Sequence, residues 1–124
     1  MVIVSFNGRE EAVQSVEAFG VALARFGGHA QFDLWLSVSE GPSICMLRNG
    51  EHAFLMYLRF PGDSGFVSTS ESTNEELIEY RLSNGQVDRY PQSWCLPIEQ
   101  CFKALTHFFA NGGARPEGVA WNQS

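Results

Sequence analysis

The stretch Gln31 to Ser39, QFDLWLSVS, alternates strictly, with Phe32, Leu34, Leu36 and Val38 on one side and Asp33, Trp35 and Ser37 on the other. A period of two is that of a β-strand, because successive side chains leave a strand on opposite faces. Two more β-rich runs follow, Ile44 to Arg48 and Ala53 to Arg59, joined across Asn49-Gly50. That dipeptide tolerates the positive φ angles of a tight hairpin turn. Three strands in immediate succession imply an antiparallel meander at the centre of the fold.

The flanks supply further elements. Met1 to Phe6 reads as a first strand closed by Asn7-Gly8. From Glu10 to Phe26 the apolar residues Val13, Val16, Phe19, Leu23 and Phe26 recur at threes and fours, so a helix is expected there, interrupted by Gly20 and stopped by Gly27-Gly28. Phe66 to Ser68 reads as a short strand, and Leu77 to Leu82 and Gln86 to Tyr90 flank a second hairpin at Asn84-Gly85, extending the sheet. Pro97 starts a second helix whose stripe is Ile98, Cys101, Phe102, Leu105, Phe108 and Phe109, ended by Asn111-Gly112-Gly113. Gly118 to Trp121 adds a last strand. The expected order is β-α-β-β-β-β-β-β-α-β, an α+β fold with one mostly antiparallel sheet of about six to eight strands and both helices packed on it.

With 124 residues, 44% of them hydrophobic and no segment that repeats another or stands apart as a linker, the chain is expected to form a single domain over residues 1–124. No apolar run approaches the roughly 20 residues that span a bilayer. Met1 to Phe6 has neither the charged start nor the cleavage site of a signal peptide, so a cytoplasmic location is expected, without membrane contact. Cys45, Cys95 and Cys101 are odd in number and follow no zinc or redox spacing; they read as small buried hydrophobes of a reducing compartment. No metal-ligand motif and no phosphate-binding glycine loop occurs, and no cofactor is expected.

Gly62-Asp63-Ser64-Gly65 is the tetrapeptide that surrounds the nucleophile in chymotrypsin-like serine proteases. A nucleophilic serine needs a base within hydrogen-bond reach and a group that orients it. His29, His52 and His107 are the available bases, and each lies at a boundary or surface position without a supporting motif. Pro61-Gly62-Asp63-Ser64-Gly65 between two strands is also what turn chemistry alone produces. No catalytic residue is assigned.

Charge is the more informative signal. The chain carries 14 acidic and 8 basic side chains, a net charge of −6, which opposes direct binding to nucleic acid. Asp63, Glu71, Glu75, Glu76 and Glu79 fall between Arg59 and Arg81 with no Lys or Arg among them, in a stretch rich in Ser and Thr. Trp35, on the polar side of its strand, is an exposed aromatic if that face is bare, and a core residue if a helix covers it.

The ending SWCLPIEQCFKALTHFFANGGARPEGVAWNQS combines a Pro-started amphipathic helix, the pair Phe108-Phe109, then Arg115-Pro116 and Trp121. It resembles the ending of immunity protein family one of bacterial polymorphic-toxin systems, and AFLMYLRFPGDSGFVSTSES resembles that family's central strand running into a loop, so the similarity spans Ala53 to the end. The resemblance implies a small α+β protein, made alongside a secreted toxin domain, that binds the toxin tightly and blocks its active site. In the members it resembles most, the toxin is a nucleic-acid deaminase. The family offers no catalytic residues to carry over; Arg115, Pro116 and Trp121 match its pattern in a structural role, with Pro116 fixing the backbone before the last strand and Trp121 packing there. The expected partner is a basic, nucleic-acid-acting toxin domain, met by acidic side chains that imitate phosphate. The expected contact residues are Asp63, Ser64, Phe66, Glu71, Glu75, Glu76 and Glu79, with Trp35 as an aromatic anchor. A general interaction module or oligomeric subunit, and a small serine hydrolase at Ser64, are the competing readings.

Overall fold

The computed structural model describes residues 2–123. The expected meander is present as β3 (Gln31–Val38), β4 (Ser43–Asn49) and β5 (His52–Leu58), with Leu34 opposite Met46 and Met46 opposite Leu55. The β4–β5 loop is Gly50-Glu51, one residue later than Asn49-Gly50, and of the two only Gly50 has positive φ (63°). A positive φ confined to the first loop residue matches the hairpin turn that favours Gly there. Asn49 is thereby left in the strand, where its side-chain amide donates to the Glu79 carbonyl at 2.8 Å.

β1 (Val2–Phe6) turns at Asn7 (φ 50°) and Gly8 (φ 79°) and returns as β2 (Arg9–Glu11). Pairing with β1 takes up residues that helical spacing had claimed, so α1 spans Val16–Phe26 and does not begin at Glu10. Ser15 marks its start, because its hydroxyl accepts the Ala18 amide at 3.0 Å. α1 buries Phe19, Ala22, Leu23 and Phe26. α2 (Ile98–Ala110) follows Pro97 and buries Cys101, Ala104, Leu105 and Phe108. The helices meet through Phe19 and Phe109, whose rings stack at 4.6 Å.

Among the described residues one antiparallel sheet runs in the order β2-β1-β3-β4-β5-β6-β9, where β6 is Phe66–Ser68 and β9 is Trp121–Gln123. The last strand thus starts where the expected one ends. β7 (Leu77–Arg81) and β8 (Val87–Pro91) form a separate two-stranded sheet instead of widening the large one.

Alternation in the meander sends apolar side chains both ways. Phe32, Leu34, Leu36, Ile44, Met46, Ala53, Leu55 and Tyr57 join the buried helix residues in one core. Cys45, Leu47 and Phe54 face the other side, where Tyr80 of β7 completes a second core, with Trp35, Met56, Ile78, Leu82, Tyr90 and Trp94 packed around it. The fold is therefore three layers: helices, sheet, hairpin. Trp35 lies under the hairpin, half-buried, on the sheet face opposite α1 and α2. Phe54 is the hub of this second core, with the rings of Tyr80 and Tyr90 at 5.0 Å and Trp94 at 5.5 Å.

Polar bonds fix the hairpin at both ends. At its tip the buried Asp33 carboxylate accepts from the Ser83 amide and hydroxyl, both at 3.1 Å through Oδ2, while Oδ1 has no protein partner. At its base the Gln92 amide donates to the Glu76 carbonyl at 2.8 Å, and the Leu96 amide donates to Ala53 of β5 at 2.8 Å.

Two stability predictions follow from these positions. Phe54→Ala removes the ring that Tyr80, Tyr90 and Trp94 enclose and is expected to cost about 3–5 kcal/mol, read as a lower denaturant midpoint. Gly20 is an exposed helix residue with no atom within 4 Å of where a Cβ would sit. Gly20→Ala is expected to stabilise by about 0.5–1 kcal/mol, a rise of roughly 2–5 °C in Tm by calorimetry.

Candidate functional site

β6 is short, and the two loops that flank it hold most of the residues that the sequence singles out. Its own position is pinned by Ser68, whose fully buried hydroxyl accepts from the Leu55 amide at 2.9 Å and donates to the Trp94 carbonyl at 2.8 Å.

The loop before β6 is braced by one ion pair. Asp63 Oδ2 accepts from the Arg59 amide (2.9 Å) and Nε (2.8 Å), and Oδ1 accepts from Arg59 Nη2 (2.9 Å). The Arg59 side chain is half exposed, whereas that of Asp63 is only 3% exposed. Hydrogen bonds from the Arg59 side chain, then from its backbone amide, hold the Asp63 carboxyl well below the usual carboxylate range. The charge of Asp63 is thus spent inside the loop. Gly65 closes the turn at φ 76°, and a Cβ there would lie 2.7 Å from the Tyr57 carbonyl, so a larger residue does not fit the bend. Ser64 is exposed on this turn. Of the three histidines, His29 packs against Phe6, His52 opens β5 and His107 lies in the last turn of α2.

The loop after β6 is ordered by a different device. Ser70 Oγ accepts the Ser72 amide (3.3 Å), Ser72 Oγ accepts the Asn74 amide (3.1 Å), and Asn74 Oδ1 accepts the Glu76 amide (2.9 Å). Each is a short polar side chain bonding the backbone two residues on, the local bond that Ser and Asn make most readily. The loop is tied to the rest of the molecule where the Ser70 amide meets the Ser93 carbonyl (2.8 Å) and the Asn74 side-chain amide meets Gln92 (3.0 Å).

With residues 70, 72 and 74 turned to the backbone, Glu71, Glu75 and Glu76 are exposed and make no ion pair among the described residues. Glu79, on the outer face of the hairpin, meets Arg89 at 3.4 Å, with both side chains more than half exposed, so that pair contributes little. A groove of about 480 Å³ adjoins the loop, lined by Thr69, Ser70 and Glu71 on one side and by Leu96 and Pro97 before α2 on the other.

Phe66 is half-buried between two guanidinium groups, Arg59 at 5.2 Å and Arg115 at 4.8 Å from its ring centre. Phe60, next to Arg59, is 51% exposed. Phe60, Arg59 and Arg115 are not among the contact residues expected from the sequence. The available signal was Arg59 four residues before Asp63, with aromatic residues on both sides of the turn.

Arg115, Pro116 and Trp121 are grouped at the same edge of the sheet. The indole Nε1 of Trp121 donates to the Pro116 carbonyl at 3.0 Å, and the ring lies 6.1 Å from Tyr57. Among the described residues no group of three or more His, Cys, Asp or Glu side chains is placed to hold a metal ion, and no helix is long and apolar enough to cross a membrane.

A family model described as immunity protein Imm1 matches residues 7–123, nearly the whole chain. The chain belongs to the Imm1 immunity protein family. As an Imm1 protein it is an immunity protein for a toxin. The match extends well upstream of Ala53, so β2, α1 and the first half of the meander belong to the Imm1 fold as much as the distinctive C-terminal end. No match is found among curated proteins.

The Arg59–Asp63 pair has a testable pH signature. A carboxyl whose folded-state pKa is depressed adds stability above its unfolded pKa of about 3.9, and that stability is lost as pH falls toward the folded value. Carboxyl carbon NMR is expected to show Asp63 still ionised at pH 4, and to show its titration moving up toward the ordinary range in Arg59→Ala.

Proposed function

We propose that this immunity protein neutralises a nucleic-acid-acting toxin, a deaminase or a nuclease, by covering its active site with the acidic loop between β6 and β7. The observation that carries the reading is the set of bonds from Ser70, Ser72 and Asn74, which supports a preset loop conformation with Glu71, Glu75 and Glu76 unpaired. A loop ordered before binding loses less conformational entropy on association. Unpaired carboxylates on it are available to the basic groove of an enzyme that accepts phosphate, and the field between them speeds encounter.

Glu79 extends the acidic surface onto the hairpin. Phe66 and Ser64 lie at the edge of the contact in this reading, whereas Asp63 and Trp35 shape it from behind. A toxin that acts on nucleic acid places the encounter in the cytoplasm. The groove beside Glu71 offers apolar walls for a long cationic side chain, whose methylenes pack on Leu96 and Pro97 while its charge reaches the carboxylate.

The test uses the toxin domain encoded beside this gene. Addition of the protein is expected to abolish the toxin's activity on nucleic acid, with association that slows steeply as salt is raised. Glu75→Lys combined with Glu76→Lys is expected to slow association about tenfold or more at low ionic strength and to flatten its salt dependence, measured by stopped-flow fluorescence. An unchanged rate in that variant removes the acidic loop from the interface. Failure of the unsubstituted protein to bind at micromolar concentration overturns the pairing itself.

A further inference from the structure

We propose that Phe60 is a second, apolar anchor for the toxin, inserted into an apolar recess of the toxin surface that carries a carboxylate at its rim. The inference rests on the toxin-binding reading above and concerns the opposite end of β6 from the acidic loop.

Phe60 is an unusual residue to leave in water. It is 51% exposed, and it opens the turn in which its carbonyl accepts the Asp63 amide at 3.1 Å. Arg59 lies over its ring at 5.6 Å and over Phe66 at 5.2 Å, while Asp63 fixes Arg59 through both guanidinium contacts and its backbone amide. Gly65 seals the bend against the Tyr57 carbonyl. The loop therefore presents a large ring from a rigid support, so seating it in a pocket loses little conformational freedom. Aromatic residues and arginine are the side chains that dominate protein interfaces when packed in a desolvated pocket.

Charge defines the partner at this end. The guanidinium of Arg59 is neutralised by Asp63 within the loop. Arg115 is exposed, stacks on Phe66 at 4.8 Å and has no acidic partner among the described residues. Arg115 shares a surface groove with Glu117 but forms no ion pair with it, so at this end of β6 its guanidinium is left for a partner's carboxylate. A recess with a carboxylate at its rim satisfies both ring and guanidinium. Only β6, three residues or roughly 10 Å long, separates the two loops along the chain.

The experiment measures binding of the adjacent toxin domain to the full chain and its variants by surface plasmon resonance, with circular dichroism to verify folding. Phe60→Ala is expected to weaken binding tenfold or more, mainly through faster dissociation and with the salt dependence of association unchanged, and Phe60→Leu to recover most of the loss. Asp63→Ala, which frees the loop but keeps the ring, is expected to weaken binding as well. Arg115→Gln is expected to slow association at low salt. If the unsubstituted chain binds and Phe60→Ala stays within twofold of it, the anchor is refuted while the immunity role stands. Faster association of Arg115→Gln refutes the carboxylate at the rim. A dimer of the free chain that Phe60→Ala dissolves assigns the ring to a second copy and also refutes the proposal. If the unsubstituted chain does not bind, both readings fall together.

Discussion

Burial of β4 and β5 on both faces is the constraint on which the rest of the molecule depends. Ile44 and Met46 need the helices, and Cys45, Leu47 and Phe54 need a second cover that the helices cannot provide. A two-layer sandwich of helices on one sheet would leave the second set in water, with each large side chain forfeiting about 1.5–3 kcal/mol of burial. The β7–β8 hairpin meets that need. The thiols inside these cores are correspondingly inert: burial pushes Cys45 up, assisted by the nearby Asp33 carboxylate, and burial pushes Cys101 up to about 12.

Covering the far face also positions the functional loops. The chain leaves β5, pairs briefly as β6 between β5 and β9, and must then leave the sheet for the face away from the helices to begin β7. The acidic loop is that crossing. Its ends are pinned by Ser68 on Trp94 and by Glu76 on Gln92, both in the segment that closes the second core. Stability of the second core and the order of the acidic loop are therefore linked: a substitution that loosens Phe54 or Trp94 reaches the loop through those bonds.

Elements governed by local periodicity were legible in the sequence, and those governed by pairing were not. The meander and α2 follow from alternation and from a three-to-four stripe, and α2 runs Ile98–Ala110 as its stripe and the following glycines imply. The start of α1 was misplaced because Glu10 and Val13 fit a helical period, whereas Arg9–Glu11 gains more by pairing with β1; the signal for the true start was Ser15. Among the site residues, the acidic composition was visible, but the separate situations of its members were not. Asp63 is consumed by Arg59, Glu79 faces Arg89, and Glu71, Glu75 and Glu76 form no ion pair among the described residues. Phe60 lies just past the run that ends at Arg59, where position along the chain does not distinguish an exposed ring from a buried one.

By itself, then, the order of residues determined an antiparallel centre, two amphipathic helices, an acidic segment and a C-terminal Arg-Pro and Trp pattern, all properties of neighbours along the chain. Tertiary structure alone decided that the second hairpin would lie across the sheet, that Trp35 would be covered by strands, and that three glutamates would face outward. Those outcomes rest on contacts such as Asp33 with Ser83, fifty positions apart, and Phe54 with Trp94. No window of local sequence contains both partners, and the choice between faces is made only when the whole apolar surface is closed at once.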